Sequence, residues 1–397
     1  MRNWLSFLLI ILFPVSTWAQ EMMVQGRVVD AETGEALPYV SIYAGEGKGT
    51  LSNDDGDFKL VTDAGSILTF SCIGYEKLVI KTSDIIQTIK LEPYSTSLQE
   101  LTIQAEPLDV ILKRIISNLK KDYRKNSKWT RKYFFRTYTE VGDGNYFAEA
   151  FMKVYSVVNI RSAMILSGLE GRDTEGNKGS LDMQNSNIHK LIEVGAAIHD
   201  SPFWREAITP LSDYSTSRKC YDIKLQHMKG EDGNKLYRIE FIWKKKVPKW
   251  LRGMINITGT AYVDAETCRL LRFDGVCNNC KVYTGVWYGS GQYSHNEMYT
   301  NFPTAIMFDM EYDYSEGAAS VSHLVVYGGN PFTCYHALLF AIEKNEKESG
   351  KMKTGGSNMV TAVRKAGFDA KLWDEYDIVK RTKKEEQAAF GEEVTGN

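Results

Sequence analysis

Val24-Gln25-Gly26-Arg27-Val28-Val29 alternates apolar and polar side chains with a period of two, the pattern of a strand with one buried face. Working outward, Tyr39-Val40-Ser41-Ile42-Tyr43, Gly49-Thr50-Leu51-Ser52, Phe58-Lys59-Leu60-Val61, Ile67 to Ile73, Lys77 to Lys81 and Ile86 to Leu91 read the same way. The joints between them carry turn chemistry: Asp30 to Leu37, Asp54-Asp55-Gly56-Asp57, and Gly74-Tyr75. Seven short strands with no helical period predict a small β-sandwich. The aspartates at 54, 55 and 57 do not make a calcium loop of the EF-hand kind, which needs about twelve residues ending in a bidentate Glu. They read as turn formers.

The ordered set Gly26-Arg27-Val28-Val29-Asp30, Thr33-Gly34-Glu35-Ala36-Leu37-Pro38, Val40-Ser41-Ile42, Asn53-Asp54-Asp55-Gly56-Asp57-Phe58 and Ile73-Gly74-Tyr75-Glu76 resembles the carboxypeptidase-like regulatory domain. That module is a transthyretin-like β-sandwich abundant in cell-envelope proteins of Bacteroidota. The resemblance implies an accessory domain without catalytic residues. A zinc carboxypeptidase would need a His-x-x-Glu pair and a distant His, and none of the six histidines has Glu three positions later. Trp373-Asp374-Glu375-Tyr376-Asp377-Ile378-Val379-Lys380-Arg381-Thr382 resembles the ending of Bacteroidota proteins that join this module to an uncharacterised α+β region.

Beyond residue 107 the period changes. Pro107 opens a helix in which Leu108, Ile111, Leu112, Ile115, Leu119 and Tyr123 recur at three and four residues, with Asp109 in its first turn and Lys120 and Lys121 in its last. Lys132 to Glu140 and Tyr146 to Val158 predict a hairpin. Gly168 to Asn187 reads as loop and Ile188 to Ile198 as a short helix. From Tyr221 a meander is predicted: 221–227, 236–243, 254–264, 269–276, 281–288, 304–314 and 321–327, an antiparallel sheet with one face packed and one wet. Lys344 to Ser357 reads as a loop, and 359–390 as helical and charged pieces. The expected fold is thus mainly β with an α+β second domain: an N-terminal seven-stranded sandwich (20–93), a linker (94–107), an α+β domain (108–390) of a helix and an antiparallel β-meander, and a polar tail (391–397). Ser95 to Ala105 resembles the stretch that follows this module in TonB-dependent transporters, but their barrels of about 22 strands need more chain than remains.

Residues 1–19 read as a secretory signal: Arg2, the apolar run Leu5 to Phe13, Pro14, and Thr17-Trp18-Ala19 with cleavage between Ala19 and Gln20. The run is shorter than the about 20 apolar residues of a membrane span. No later stretch reaches 18 apolar residues, so no transmembrane helix is expected after cleavage. The protein is expected to be exported, to the periplasm or the outer membrane. Its 43% hydrophobic and 25% charged residues exclude wholesale disorder, and a net charge of −2 gives no field for nucleic acid.

The chemistry-bearing patterns are sparse. Cys277-Asn278-Asn279-Cys280 places two cysteines across a predicted Asn-Asn turn, a candidate disulfide in an oxidising compartment, with buried thiols as the alternative. Trp243, Lys244, Lys245, Lys246, Lys249, Trp250 and Arg252 crowd five cations and two tryptophans into ten residues. They form a candidate contact with anionic headgroups, or else a solvated connection whose Pro248 blocks strand pairing. Glu311 and Asp313 share a strand face, and His199-Asp200-Ser201 collects triad residue types without triad geometry. Nucleophile elbows, phosphate loops and dinucleotide fingerprints are absent, and no cofactor or metal is predicted. The sequence therefore points to a non-catalytic envelope protein that binds a protein, glycan or lipid. Two alternatives stand beside it. One is a lipid or hydrophobic-ligand carrier, since Gly259 to Thr267 followed by Leu270-Leu271-Arg272-Phe273 is similar to the strand–turn–strand repeats of half-barrel lipoprotein carriers. The other is a hydrolase with an unrecognised carboxylate site.

Overall fold

The structure is a computed structural model that describes residues 21–45, 48–94, 106–126, 129–141, 144–155, 164–170, 208–230, 233–251, 256–280, 283–285, 297–299, 304–314, 320–330, 333–343, 346–347, 359–376 and 378–390. The signal segment with Ala19 and Gln20, most of the linker, the helix expected at 188–198 and the polar tail lie outside them.

All seven expected N-terminal strands form: β1 (Glu21–Asp30), β2 (Ser41–Gly45), β3 (Lys48–Leu51), β4 (Asp57–Asp63), β5 (Ile67–Ser71), β6 (Leu78–Lys81) and β7 (Thr88–Leu91). They build two sheets, β4-β1-β7 and β3-β2-β5-β6. The pairing of β1 with β7 is parallel. The alternating residues Val24, Val28, Ile42, Phe58, Leu60, Leu68, Phe70 and Ile89 interdigitate between the sheets. At the β3–β4 turn the Asn53 side chain accepts from the Asp55 and Asp57 amides. Gly56 sits there at φ 78, where a Cβ would stand 2.5 Å from the Val28 carbonyl oxygen. Only glycine meets both demands.

The rest of the chain is dominated by one antiparallel sheet. Its strands are β8 (Trp129–Val141), β9 (Gly144–Tyr155), β10 (Met164–Glu170), β11 (Tyr221–Lys229), β12 (Lys235–Trp243), β13 (Asn256–Asp264), β14 (Leu270–Cys280), β17 (Thr304–Asp313), β18 (Ser320–Asn330) and β19 (Thr333–Ala341). The spatial order is β10-β9-β8-β19-β18-β17-β14-β13-β12-β11, with β20 (Glu346–Lys347) attached to β8. Among the described residues β15 (Tyr283–Gly285) and β16 (Glu297–Tyr299) pair with each other alone. The helices are α1 (Leu108–Asn126), α2 (Tyr214–Cys220), α3 (Met359–Ala366), α4 (Ala370–Glu375) and α5 (Lys383–Phe390). No helix among the described residues is long and apolar enough to cross a membrane.

The sheet has two differently used faces. On the inner face, α1 lays Ile111, Leu112, Ile115, Ile116 and Leu119 against Tyr237, Ile239, Phe241, Phe273 and Phe308, all buried. At about 1.5–3 kcal/mol per fully buried large side chain, this stripe is what holds the helix. Phe241 of β12, Phe273 of β14 and Phe308 of β17 stack in a row that passes over Gly259 of β13. Arg114 and Asn118 tie α1 to the β13–β14 turn through the carbonyls of Glu266, Thr267 and Cys268. Among the described residues, the inner face is thus packed with the protein's own side chains. On the outer face, Phe134, Phe151, Val325 and Leu338 pack against Tyr39 and Leu51 of the sandwich and Val379 of the C-terminal segment. Ser167 pins that segment: its hydroxyl accepts from the Asp369 amide and the Trp373 indole, each at 2.9 Å, and donates to the Gly367 carbonyl.

Four readings change. Asn278-Asn279 is no hairpin turn: β14 continues through it, with a bulge against β17 and Asn279 at φ 60. An Asn tolerates that left-handed conformation, so the turn chemistry is real but serves a bulge. Residues 283–285 do not join the meander, because β14 pairs directly with β17. Gly168 begins no loop; it lies in β10, against which Val363 of α3 packs so closely that a Cβ would come within 2.6 Å. The wet outer face is in fact covered over β8, β18 and β19.

Candidate functional site

The sandwich meets the sheet along a polar seam. Tyr39, at φ 58 directly after Pro38, carries its hydroxyl out of the sandwich to the hydroxyl of Tyr327 on β18. Such a backbone angle is unfavourable for tyrosine and persists where surrounding structure fixes it. Tyr327 in turn donates to Asp54 in the β3–β4 turn. His336 on β19 stacks on the Tyr327 ring at 4.8 Å and stands 3.3 Å from the Tyr39 hydroxyl. Its Nε2 is 3.8 Å from Asp54 and its Nδ1 is 3.5 Å from Glu385 on α5. Burial raises the Asp54 carboxyl above its ordinary value. Burial would raise Glu385 too, but Arg136 and His336 overcome it and hold that carboxyl at about 2.

Glu385 is fixed from both sides. Thr382 and Glu385 form a reciprocal capping box at the start of α5, with distances of 2.8 and 3.2 Å. Arg136 on β8, fully buried, lies 2.7 Å from Glu149 and 3.3 Å from Glu385. Arg381 closes on Glu149 from the C-terminal segment. Lys380 reaches Asp57 of the sandwich at 3.1 Å. The same segment therefore grips sheet and sandwich together.

Beside this seam the outer face of β12, β13, β14 and β17 carries a second polar array. The registers place Arg238, Tyr262, Arg272 and Glu311 in one row and Glu240, Thr260, Asp274 and Asp309 in the next. Arg272 makes a two-pronged bond to Asp309 and reaches the Ile73 carbonyl of the sandwich, so the array begins at the sandwich's rim. Asp274 lies directly opposite Asp309; burial, with that like charge, pushes its carboxyl up to about 6 against the pull of Arg272. Arg238, Glu240, Tyr262 and Asp274 are all partly exposed.

Of the residues singled out from sequence, Glu311 borders this array and the others fall elsewhere. Trp243 ends β12 with its ring packed on the inner core, edge-on to Tyr221. Lys244 donates to the Arg218 carbonyl. Lys245, Lys246 and Lys249 are exposed, while Val247 and Leu251 are buried and anchor the connection. Arg252 and the Trp250 side chain lie outside the described residues. Cys277 is buried on the inner face, and the bulge sets Cys277 opposite Ile306 and Cys280 opposite Thr304, two residues apart on β17. The Cys280 side chain is outside the described residues. Glu311 stands opposite Arg272 at the end of the array's first row, 3.7 Å from His323, while Asp313 pairs with Arg131 at 3.0 Å, so the two carboxylates have different partners. His199-Asp200-Ser201 is outside the described residues. Among the described residues no group of His, Cys, Asp and Glu is arranged to hold a metal ion. Of the seam's members, at positions 39, 54, 136, 327, 336 and 385, the sequence singles out only Asp54, and that as a turn former.

With this geometry in hand, comparison with known proteins bears on the sandwich. Residues 24–103 match the family model of the CarboxypepD_reg-like domain. The match supports the regulatory-type reading of the N-terminal domain. No curated protein matches the chain. Among solved structures, a DUF1329 family protein from Desulfovibrio piger aligns over 62% of this chain and 95% of its own at 11% identity, with a TM-score of 0.26. A likeness this distant carries no argument.

Proposed function

We propose that the chain is an exported, non-catalytic accessory protein of the cell envelope that binds a glycan through the outer-face array of Arg238, Glu240, Tyr262, Arg272 and Asp274. The observation that carries this reading is the array itself: a partly exposed lattice of alternating cations and carboxylates at the rim of a docked regulatory-type sandwich. Adjacent guanidinium and carboxylate rows offer paired donors and acceptors to sugar hydroxyls, and Tyr262 offers an aromatic body with a polar tip. The ion pairs within the array keep its side chains in place before a ligand arrives, which lowers the ordering cost of binding. The sandwich contributes position by walling one side of the array.

The test is a glycan array probed with the purified chain, followed by titration of hits against Y262A and E240Q. The expected result is saturable binding without turnover, weakened at least tenfold by either substitution. Binding unaffected by both, or turnover abolished by either, overturns the proposal. Binding to vesicles or to an envelope protein in place of glycans also overturns the ligand class named here.

A further inference from the structure

The charges of the seam do not balance. Among the described residues the cluster holds two permanent cations, Arg136 and Arg381, and three carboxylates, Glu149, Glu385 and Asp54. Lys380 and Asp57 form a separate neutral pair. The groups facing His336 are Asp54 and Tyr39 from the sandwich, Tyr327 from β18, Glu385 from α5 and Tyr138, opposite it in register on β8. None of these adds a cation. One Glu385 oxygen, buried beside the imidazole at 3.5 Å, has no hydrogen bond among the described residues. A cluster buried at Arg136, Glu149 and Glu385, half-buried at Asp54 and one positive charge short is costly, and a single bound proton makes it neutral.

We propose that packing of the sandwich onto the sheet takes up one proton, held within the Asp54–His336–Glu385 group, so that acid tightens the seam and alkali loosens it. In the unfolded chain Asp54 is solvated and gives up its proton at ordinary carboxylate values. In the folded seam the cluster keeps one. The folded state therefore binds more protons, and stability falls as pH rises. The raised Asp54 carboxyl has the same sign: its contribution is lost as pH climbs through its folded value. Glu385 acts oppositely, but only between its ordinary value and about 2, below the working range.

The experiment is urea unfolding of the full chain at several pH values from about 5.5 to about 8.5. It is run on wild type, D54N and E385Q. Each substitution removes one negative charge, from the sandwich and from α5 respectively, and restores neutrality without a proton. The expected result is that the wild-type folded-to-unfolded ratio falls with pH by up to tenfold per unit more steeply than in either variant. Contributions shared by all three proteins, such as Asp274, cancel in the comparison. Parallel pH profiles for wild type and variants overturn the proposal, as does flattening by only one of two folded variants. Should one variant fail to fold, the other decides.

Discussion

Single residues carry sharp consequences where a charge is half-buried without a full partner. Asp274 is the clearest case, its carboxyl pushed up to about 6 by burial and by Asp309 opposite. A folded value above the unfolded one means that its contribution is present in acid and lost as pH rises from its ordinary range through about 6. D274N is expected to remove that loss, and carboxyl NMR of the wild type to show one Asp titrating near 6; a midpoint at the ordinary value would refute the burial argument. Nothing in the sequence announces this residue. Arg272-Phe273-Asp274 reads as a strand with alternating faces, and only the register with β17 reveals that Asp274 confronts another aspartate. His336 was equally silent, since its partners lie 282 and 49 residues away in sequence, the differences between 336 and 54 and between 385 and 336.

Elements were more legible than sites, and the misses have physical causes. The seven short strands and α1 follow from unbroken periodicity, because each buries one face only. β19 gave no such signal: in Cys334-Tyr335-His336-Ala337-Leu338-Leu339-Phe340, Ala337 and Leu339 face the inner core while Leu338 and Phe340 face the outer one. A strand buried on both sides loses its alternation. β10 was obscured by Gly168, which reads as a breaker and is instead a close-packing position against α3. G168A is expected to cost about 1–3 kcal/mol and to raise hydrogen exchange in α3. Adding V363A, which removes the nearest methyl, should recover part of that loss; an undiminished penalty would mean the backbone of α3 is the obstacle.

At the scale of the whole molecule, sandwich and sheet share an apolar contact as well as the polar seam. Leu51 is fully buried, and its neighbours are Phe134, Phe151, Val325 and Leu338 of the sheet rather than the sandwich core. Calorimetry of the wild type should therefore give one cooperative transition, and L51D, which forces a carboxylate into that contact, two. A single transition in both would show that the sandwich and sheet are coupled elsewhere. The pairing of β8 with β19 has a different consequence, one for the order in which the chain can assemble. It joins residues 133–141 to 333–341, so the halves β8–β10 and β11–β18 meet only after about 200 intervening residues have been made. Until then β8, with Phe134 and Arg136 on it, presents a bare edge. A long exposed edge is the feature chaperones shield and aggregates exploit. The folding of this protein is thus gated by its C-terminal third: a chain truncated before residue 333 keeps that edge open, whatever the state of its N-terminal sandwich.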